Sequence, residues 1–318
     1  MADEKLDALI FIDTNIFLDF YRIRKSNVSM KYLDEILAHK DIIITCSQIE
    51  MEFKKNRQSV ILESIGELKK LSSINLSFPA IIANAQASKM LKKQKANIEK
   101  QIKKLKQRVE KILKNPSQND PVYKSLQKVW AIKSDYNLNR ENKQRFANRK
   151  LAGKRFLLGY PPRKKGDNSI GDAINWEWII KCAEKSGKSI IIVSRDTDFG
   201  SHYEDESFLD DWLLKEFKER ISRKRKILFT DKLSTAFKLV EIPVTDEMVK
   251  EERKVIDFSN FNYNFTNYSE LMQRVQESMR MPNEAIRNIQ KSMEIPAMNM
   301  AKIREAMQSL HYEAGEEE

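Results

Sequence analysis

"FIDTNIFLDF", residues 11–20, interrupts an apolar run with one carboxylate and then resumes it. The run before the break, "ALIFI" (8–12), has no polar member. That is the pattern of a strand covered on both faces in a parallel sheet. The residues after it are ready to turn helical, so Asp13 stands at a strand–helix joint. There it either caps the helix, as Asp commonly does, or holds something positively charged.

Three further runs share this character: "DIIITC" (41–46), "SIIIVS" (189–194) and "KILFT" (226–230). Each is followed by a helical pattern, namely "SQIEMEFKKNRQSVILESIGELKKL", "SFLDDWLLKEFKERI" after a loop, and "DKLSTAFKLV". Buried strands alternating with helices predict an α/β domain with a parallel sheet. The domain is expected in two parts, residues 1–78 and 156–245, interrupted by a helical insertion over 79–155. In the insertion Ile98, Ile102, Leu105, Val109 and Ile112 form a coiled-coil-like stripe. "KNPSQNDPVY" ends that helix, and Asp120-Pro121 starts another with an N-cap and an N1 proline. The simplest shape is an antiparallel helical hairpin, with the stripe as packing.

Residues 246–318 read as a linker and Met-rich helical extension. "DFSNFNYNFTNYSE" (257–270) has no clear period, and Ser278, Met279 and Pro282 recur as Ser292, Met293 and Pro296. Short Met-rich amphipathic helices suit a regulatory protein contact or self-association.

The chain has 318 residues, 41% of them hydrophobic and 32% charged, with only 8 Gly and 8 Pro, which favours a helix-rich chain over an all-β one. No apolar run approaches the ~18 residues of a membrane span, so no membrane partner is expected. "MADEKLD" carries no apolar signal region. Two cysteines, Cys46 and Cys182, make no disulfide framework, and the expected location is the cytoplasm. From Lys89 to Lys165 there are 24 Lys and Arg against 5 Asp and Glu, a local charge of +19 in a chain of net charge +11, leaving −8 elsewhere. A basic middle on an acidic body points to a polyanion partner.

The acids fall at special places. Asp13 ends the first strand, Glu50 and Glu52 open the helix after the second, Asp172 starts the helix before the third, and Asp196 and Asp198 follow it. Ligands of an open parallel sheet bind beyond the carboxyl ends of its strands. Crowded carboxylates repel and need neutralising, which hard divalent cations with oxygen preference do. The three histidines, His39, His202 and His311, lie outside these motifs, which argues against zinc or histidine acid–base chemistry. Taken singly, the acids have blander readings: helix caps for Asp13 and Asp172, an Asx-turn for Asp196 and Asp198, a solvated face for Glu50 and Glu52.

"FIDTNIFLD", "SQIEMEF", "GDAINWEWII" and "VSRDTDFG" resemble, in order, the four acidic motifs of the PIN-domain ribonucleases. The likeness covers roughly 8–78 and 156–240 and is closest to larger bacterial PIN-like proteins with a helical insertion. It implies a PIN-like parallel sheet flanked by helices and metal-dependent hydrolysis of RNA. Asp13, Glu52, Asp172 and Asp196 would be catalytic, and Asp13, Asp172, Asp196 and Asp198 would ligate one or two Mg²⁺ or Mn²⁺ ions. Asn15 and Ser194 would be supporting polar groups, and Glu52 is preferred to Glu50. A haloacid-dehalogenase-type phosphatase would need an aspartate where Asn15 stands, and a Toprim domain a glutamate at its first strand.

"GYPPRKKGDNSIGD" leads into Asp172, so Arg163, Lys164 and Lys165, with Lys154 and Arg155 before them, are expected to hold phosphates. Trp130, Tyr136, Phe146, Phe156 and Tyr160 lie among the basic residues. Such rings pack a hairpin or stack unpaired bases. The expected function is therefore an endoribonuclease leaving 5′-phosphate and 3′-hydroxyl ends, acting on single-stranded or loop RNA. The family's many toxins suggest a toxin or defence effector restrained by a partner. The alternatives are a nucleic-acid-binding scaffold with an inactive site and a structure-specific DNase.

Overall fold

The four apolar runs become β1 (Ala8–Ile12), β2 (Ile43–Cys46), β4 (Ser189–Val193) and β7 (Ile227–Thr230) of one sheet, joined by a short β3 (Asn137–Leu138). These come from a computed structural model that describes residues 6–66, 76–162 and 169–257. Sheet order is β3-β2-β1-β4-β7, and every pairing is parallel. Ile10 of the central strand sits between Ile43 and Ile191. All residues of β1 and β4 are buried, which is why neither run carries a polar alternation.

The chain moves from β1 to β2 and β3 on one side, then crosses to β4 and β7 on the other. That reversal makes the carboxyl ends of β1 and β4 the topological switch point, where the sheet opens a crevice. The helices are α1 (Thr14–Asp19), α2 (Ser26–Ala38), α3 (Ser47–Ser64), α4 (Gln86–Lys114), α5 (Pro121–Trp130), α6 (Arg145–Leu157), α7 (Gly171–Ser186), α8 (Asp211–Arg220) and α9 (Leu233–Leu239). Buried along most of its length, α7 has Trp176 and Trp178 among the largest enclosed side chains. An antiparallel hairpin, β5 (Gly200–Tyr203) with β6 (Glu206–Leu209), leaves the sheet after β4. Here "SFL" belongs to β6, and the helix expected from it begins only at Asp211.

The insertion is not a free-standing hairpin. After α4 the chain turns back, and α5 packs on α2, with Val122, Leu126, Val129 and Trp130 in the main core. Next comes β3, and α6 then packs on α7. One ion pair fixes this path. Asp120, 1% exposed, caps α5 by accepting from the Tyr123 N–H and pairs with buried Arg57 of α3 at 2.5 Å. Tyr21 also donates to it, at 2.6 Å. The same Nη2 of Arg57 that meets Asp120 also donates to Ile112 O at 2.9 Å, tying the end of α4 to α3. Within the stripe of α4 only Ile102 is buried, while Ile98 and Leu105 are nearly half exposed among the described residues.

The described residues up to Ile256 form one compact unit. Residues 246–257 are helical and bury Met248, Glu252 and Val255 in that unit, so the α/β body runs past residue 245. Glu252 accepts from the Leu233 and Ser234 N–H groups and so caps α9. The linker past residue 257, the Met-rich repeat and the acidic tail lie outside the described residues. Among the described residues no helix is long and apolar enough to cross a membrane.

Candidate active site

Asp13 does both things its position allows. Its Oδ1 accepts from the Thr14 N–H at 2.6 Å and caps α1. Its Oδ2 accepts from Asn15 Nδ2 at 2.9 Å and from the hydroxyl of Ser194, the first residue beyond β4. The amide nitrogen of Asn15 lies 3.2 Å from Ser194 Oγ, and its oxygen accepts from the Arg195 N–H. Asn15 and Ser194 thus join the ends of β1 and β4 around one carboxylate.

Glu52 faces Asp13 from α3. Its Oε2 accepts from Thr14 Oγ1 at 3.0 Å, and its Oε1 from Gln48 Nε2 at 2.7 Å. Glu50, two residues earlier, pairs instead with Lys54. The start of α7 closes over Glu52. A Cβ on Gly171 would lie 2.4 Å from Glu52 Oε1 and 2.9 Å from Gln48 Nε2, so a larger residue before Asp172 would push these two side chains out of their present positions. Asp196 completes the set, its N–H donating to Ser194 Oγ at 3.0 Å.

Asp13, Asn15, Glu52, Asp172 and Asp196 line one cleft of about 290 Å³ with Thr14, Gln48 and Lys55. A wider cleft of about 580 Å³ at the β3 edge, around Asp41, Lys133 and Asn142, holds none of these motif acids. Asp198 is buried and does not line the acidic cleft. Burial pushes the Asp13 carboxyl up to about 7, with the charges of Asp196 and Glu52 adding to the rise. Burial likewise raises Asp172 to about 8, and Asp13, Asp198, Glu52 and Asp196 all push in the same direction. Arg195, beside Asp196, gives no relief because its guanidinium pairs with Asp19. Among the described residues no ion pair neutralises Asp13, Glu52 or Asp172.

Such donors, all oxygen and mutually repelling, suit a hard divalent cation. Among the described residues, however, no three Asp, Glu, His or Cys are already gathered as a metal-holding cluster. Two of the acids are instead drawn to separate walls, Asp13 by Ser194 and Asn15 and Glu52 by Thr14 and Gln48. The donor chemistry therefore fits a cation, while a closed cage is not preformed.

The basic residues named from sequence separate. Arg155 is not a phosphate contact: it is 6% exposed and bonds Glu177, Glu216 and the Pro161 carbonyl. Arg220 closes that network on Glu177 and Glu216 at 3.0 and 2.8 Å. Lys154 is exposed on the last turn of α6. Arg163, Lys164 and Lys165 lie outside the described residues. Gln48 and Lys55 are site residues that the sequence motifs do not single out, and Thr14, legible as part of the helix cap, also serves as a partner of Glu52. Gln48 carried a signal, standing four residues before Glu52 and so on the same helix face.

No curated protein and no solved structure matches the chain. Residues 10–199, more than half of the chain and all four acidic segments, match the PIN domain. The chain belongs to the PIN domain family, which supports a nuclease.

Proposed function

We propose that this protein is a metal-dependent endoribonuclease that hydrolyses RNA to 5′-phosphate and 3′-hydroxyl ends. The observation that carries the reading is the meeting of Asp13, Glu52, Asp172 and Asp196 in one cleft, with two of the four carboxyls held near neutrality by burial and mutual repulsion. Mg²⁺ or Mn²⁺, as one or two ions, would supply an activated water and offset the charge that develops on phosphorus-bound oxygens. Asp13, Asp172 and Asp196 would hold it, with Asp198 adding charge from behind. Ser194 and Asn15 fix the orientation of Asp13; Thr14 and Gln48 fix that of Glu52. Asp13 and Asp172 would give up their protons when a cation is taken up. Lys55, exposed on the rim, is placed to meet a phosphate.

Support for a nucleic-acid substrate comes from α4. Lys93, Lys100, Lys104 and Lys111 are all exposed and are spaced by 7, 4 and 7 residues, which puts them in one row along the helix. The apolar stripe lies on the other side. Single-stranded or loop RNA is the preferred substrate, since its phosphates reach a recessed cleft more readily. Restraint of a toxin or defence effector by a protein partner, or self-association, through the C-terminal extension belongs to the same proposal. Its support is the Met-rich repeat at 278–304.

The test is digestion of RNA and DNA of one sequence with Mg²⁺, Mn²⁺ or EDTA, followed by sequencing of the cut ends. Metal-dependent RNA cuts with 5′-phosphates are expected, reduced by Asp172→Asn on the order of 10²-fold or more. Undiminished cleavage by that variant would falsify the assignment of the site. Cleavage of DNA alone would make the protein a DNase, and salt-dependent binding without cleavage under any metal would make it a scaffold.

A further inference from the structure

Two aromatic rings lie nearly parallel to each other on the surface. Tyr160, in the segment after α6, and Trp212, the second residue of α8, stack with ring centroids 5.5 Å apart and planes 12° from parallel. Both are well exposed, 42% and 45%. The other three tryptophans, Trp130, Trp176 and Trp178, are at most 6% exposed, so the chain hides its indoles everywhere else.

The topology brings this pair to the edge where the acids stand. α7 leads into β4 and α8 into β7, and these strands are parallel neighbours. Each helix must therefore return from the carboxyl edge of the sheet, so both helices begin there. They also touch: Trp176 Nε1 on α7 donates to Glu216 Oε2 on α8 at 3.2 Å. Asp172 and Trp212 each lie four residues, one turn, before that contact on their own helices. Trp212 and Asp172 therefore stand at the starts of two helices that begin at the same edge of the sheet and are bridged by one side-chain hydrogen bond. A backbone hydrogen bond from Asp210 to Phe199 at 2.9 Å ties the start of α8 to the segment after Asp196 and Asp198.

We propose that Tyr160 and Trp212 form a stacking platform for an unpaired nucleobase flanking the phosphate in the acidic cleft. Stacking accepts every base, because each has a π-face, and it requires a base free of its duplex partner. Charge agrees with that occupant. Lys215, exposed and flexible, lies over the Trp212 ring 5.4 Å from its centre, a cation that an incoming base would displace toward its own phosphate. Asp210 caps α8 and exposed Asp211 sits beside Trp212, which favours a neutral base over a phosphate at the ring itself. The platform rests on the nucleic-acid reading of the cleft but not on cleavage.

The test uses the full chain in EDTA, where binding is read without turnover. Trp212 is the one well-exposed indole of the described structure, so quenching of tryptophan emission by stacked bases reports on it. Single-stranded oligoribonucleotides should quench the emission, while a duplex of the same sequence should not. Trp212→Phe should abolish the quenching and retain binding, and Tyr160→Ala with Trp212→Ala should weaken single-strand binding about ten-fold, with Tm unchanged. Equal binding by the double variant, equal quenching by duplex, or a change of oligomeric state in place of a change in RNA affinity would each overturn the platform. Quenching without cleavage in metal would leave the platform standing and remove the endoribonuclease. Cleavage with no quenching would do the reverse.

Discussion

Asp13 is asked to do two things that oppose each other, and Asp172 shares the difficulty. Both carboxyls are kept from water, and both face further acids, so the folded chain retains their protons from the ordinary 3.8 up to about 7 and 8. Between those limits the folded state binds more protons than the unfolded one, so stability falls as pH rises through the window. The penalty is absent below about 3.8 and complete above about 8. Asp172→Asn removes one such group. The variant should match the parent near pH 4 and exceed its Tm by on the order of 5 °C near pH 8.5. Added Mg²⁺ or Mn²⁺ should narrow that gap by stabilising only the parent. Thermal scans across pH check this, and a gap that shrinks on going alkaline would reverse the argument. The sequence showed Asp13, Glu52, Asp172 and Asp196 because each sits beside a strand or helix boundary with a motif around it. Ser194 was legible as a supporting polar group, but Thr14 was hidden as the partner of Glu52, because a hydroxyl at such a joint looks the same whether it caps, bonds a carboxylate or faces water. Arg155 misled for a related reason. A local run of cations says nothing of Glu177 and Glu216, which lie 22 and 61 residues further along.

At the scale of elements, legibility followed length. β1, β2, β4 and β7 announce themselves as unbroken apolar runs, whereas β3 is two residues, Asn137 and Leu138, and carries no pattern. The β5–β6 hairpin was missed because its residues are mostly exposed or half-exposed and polar. The insertion was read as a hairpin because a stripe on α4 implies a partner, yet α5 finds its partner in α2. What redirects the chain is the buried Arg57–Asp120 pair, which no spacing rule reveals across 63 residues. Asp120 was recognised as a cap, and it is one, but its second oxygen does the long-range work. Replacing it by Asn leaves Arg57 charged, buried and without its counter-ion, a loss of ~3–5 kcal/mol. Arg57→Leu with Asp120→Leu should recover most of that loss, since no charge is then stranded. Denaturant unfolding of the two variants decides it. A single-variant loss under ~1 kcal/mol would mean the pair behaves as a solvated surface contact.

For the whole molecule, the division of charge matters more than its sum. The acidic cleft and the basic helix meet through α3, whose Glu52 lines the cleft and whose Arg57, five residues on, holds the end of α4. Five residues of helix span only ~7.5 Å, so under the proposed reading a strand lying along α4 would reach the cleft rim near Lys55. The row from Lys93 to Lys111 covers 18 residues, ~27 Å of helix, long enough to follow several phosphates. Neutralising a phosphate releases condensed counterions, and for single strands each contact contributes ~0.7 to the slope of log affinity against log salt. Changing Lys93, Lys100, Lys104 and Lys111 together to Gln should therefore flatten that slope by about 3. Tm should stay the same, because these side chains are exposed and form no ion pair among the described residues. Cleavage of a substrate only a few nucleotides long should be far less affected, because it reaches at most the Lys111 end of α4. Titrations of a long single-stranded RNA at several salt concentrations, in EDTA, measure the slope. An unchanged slope would mean that the phosphates run elsewhere and that α4 serves a protein partner through its apolar stripe.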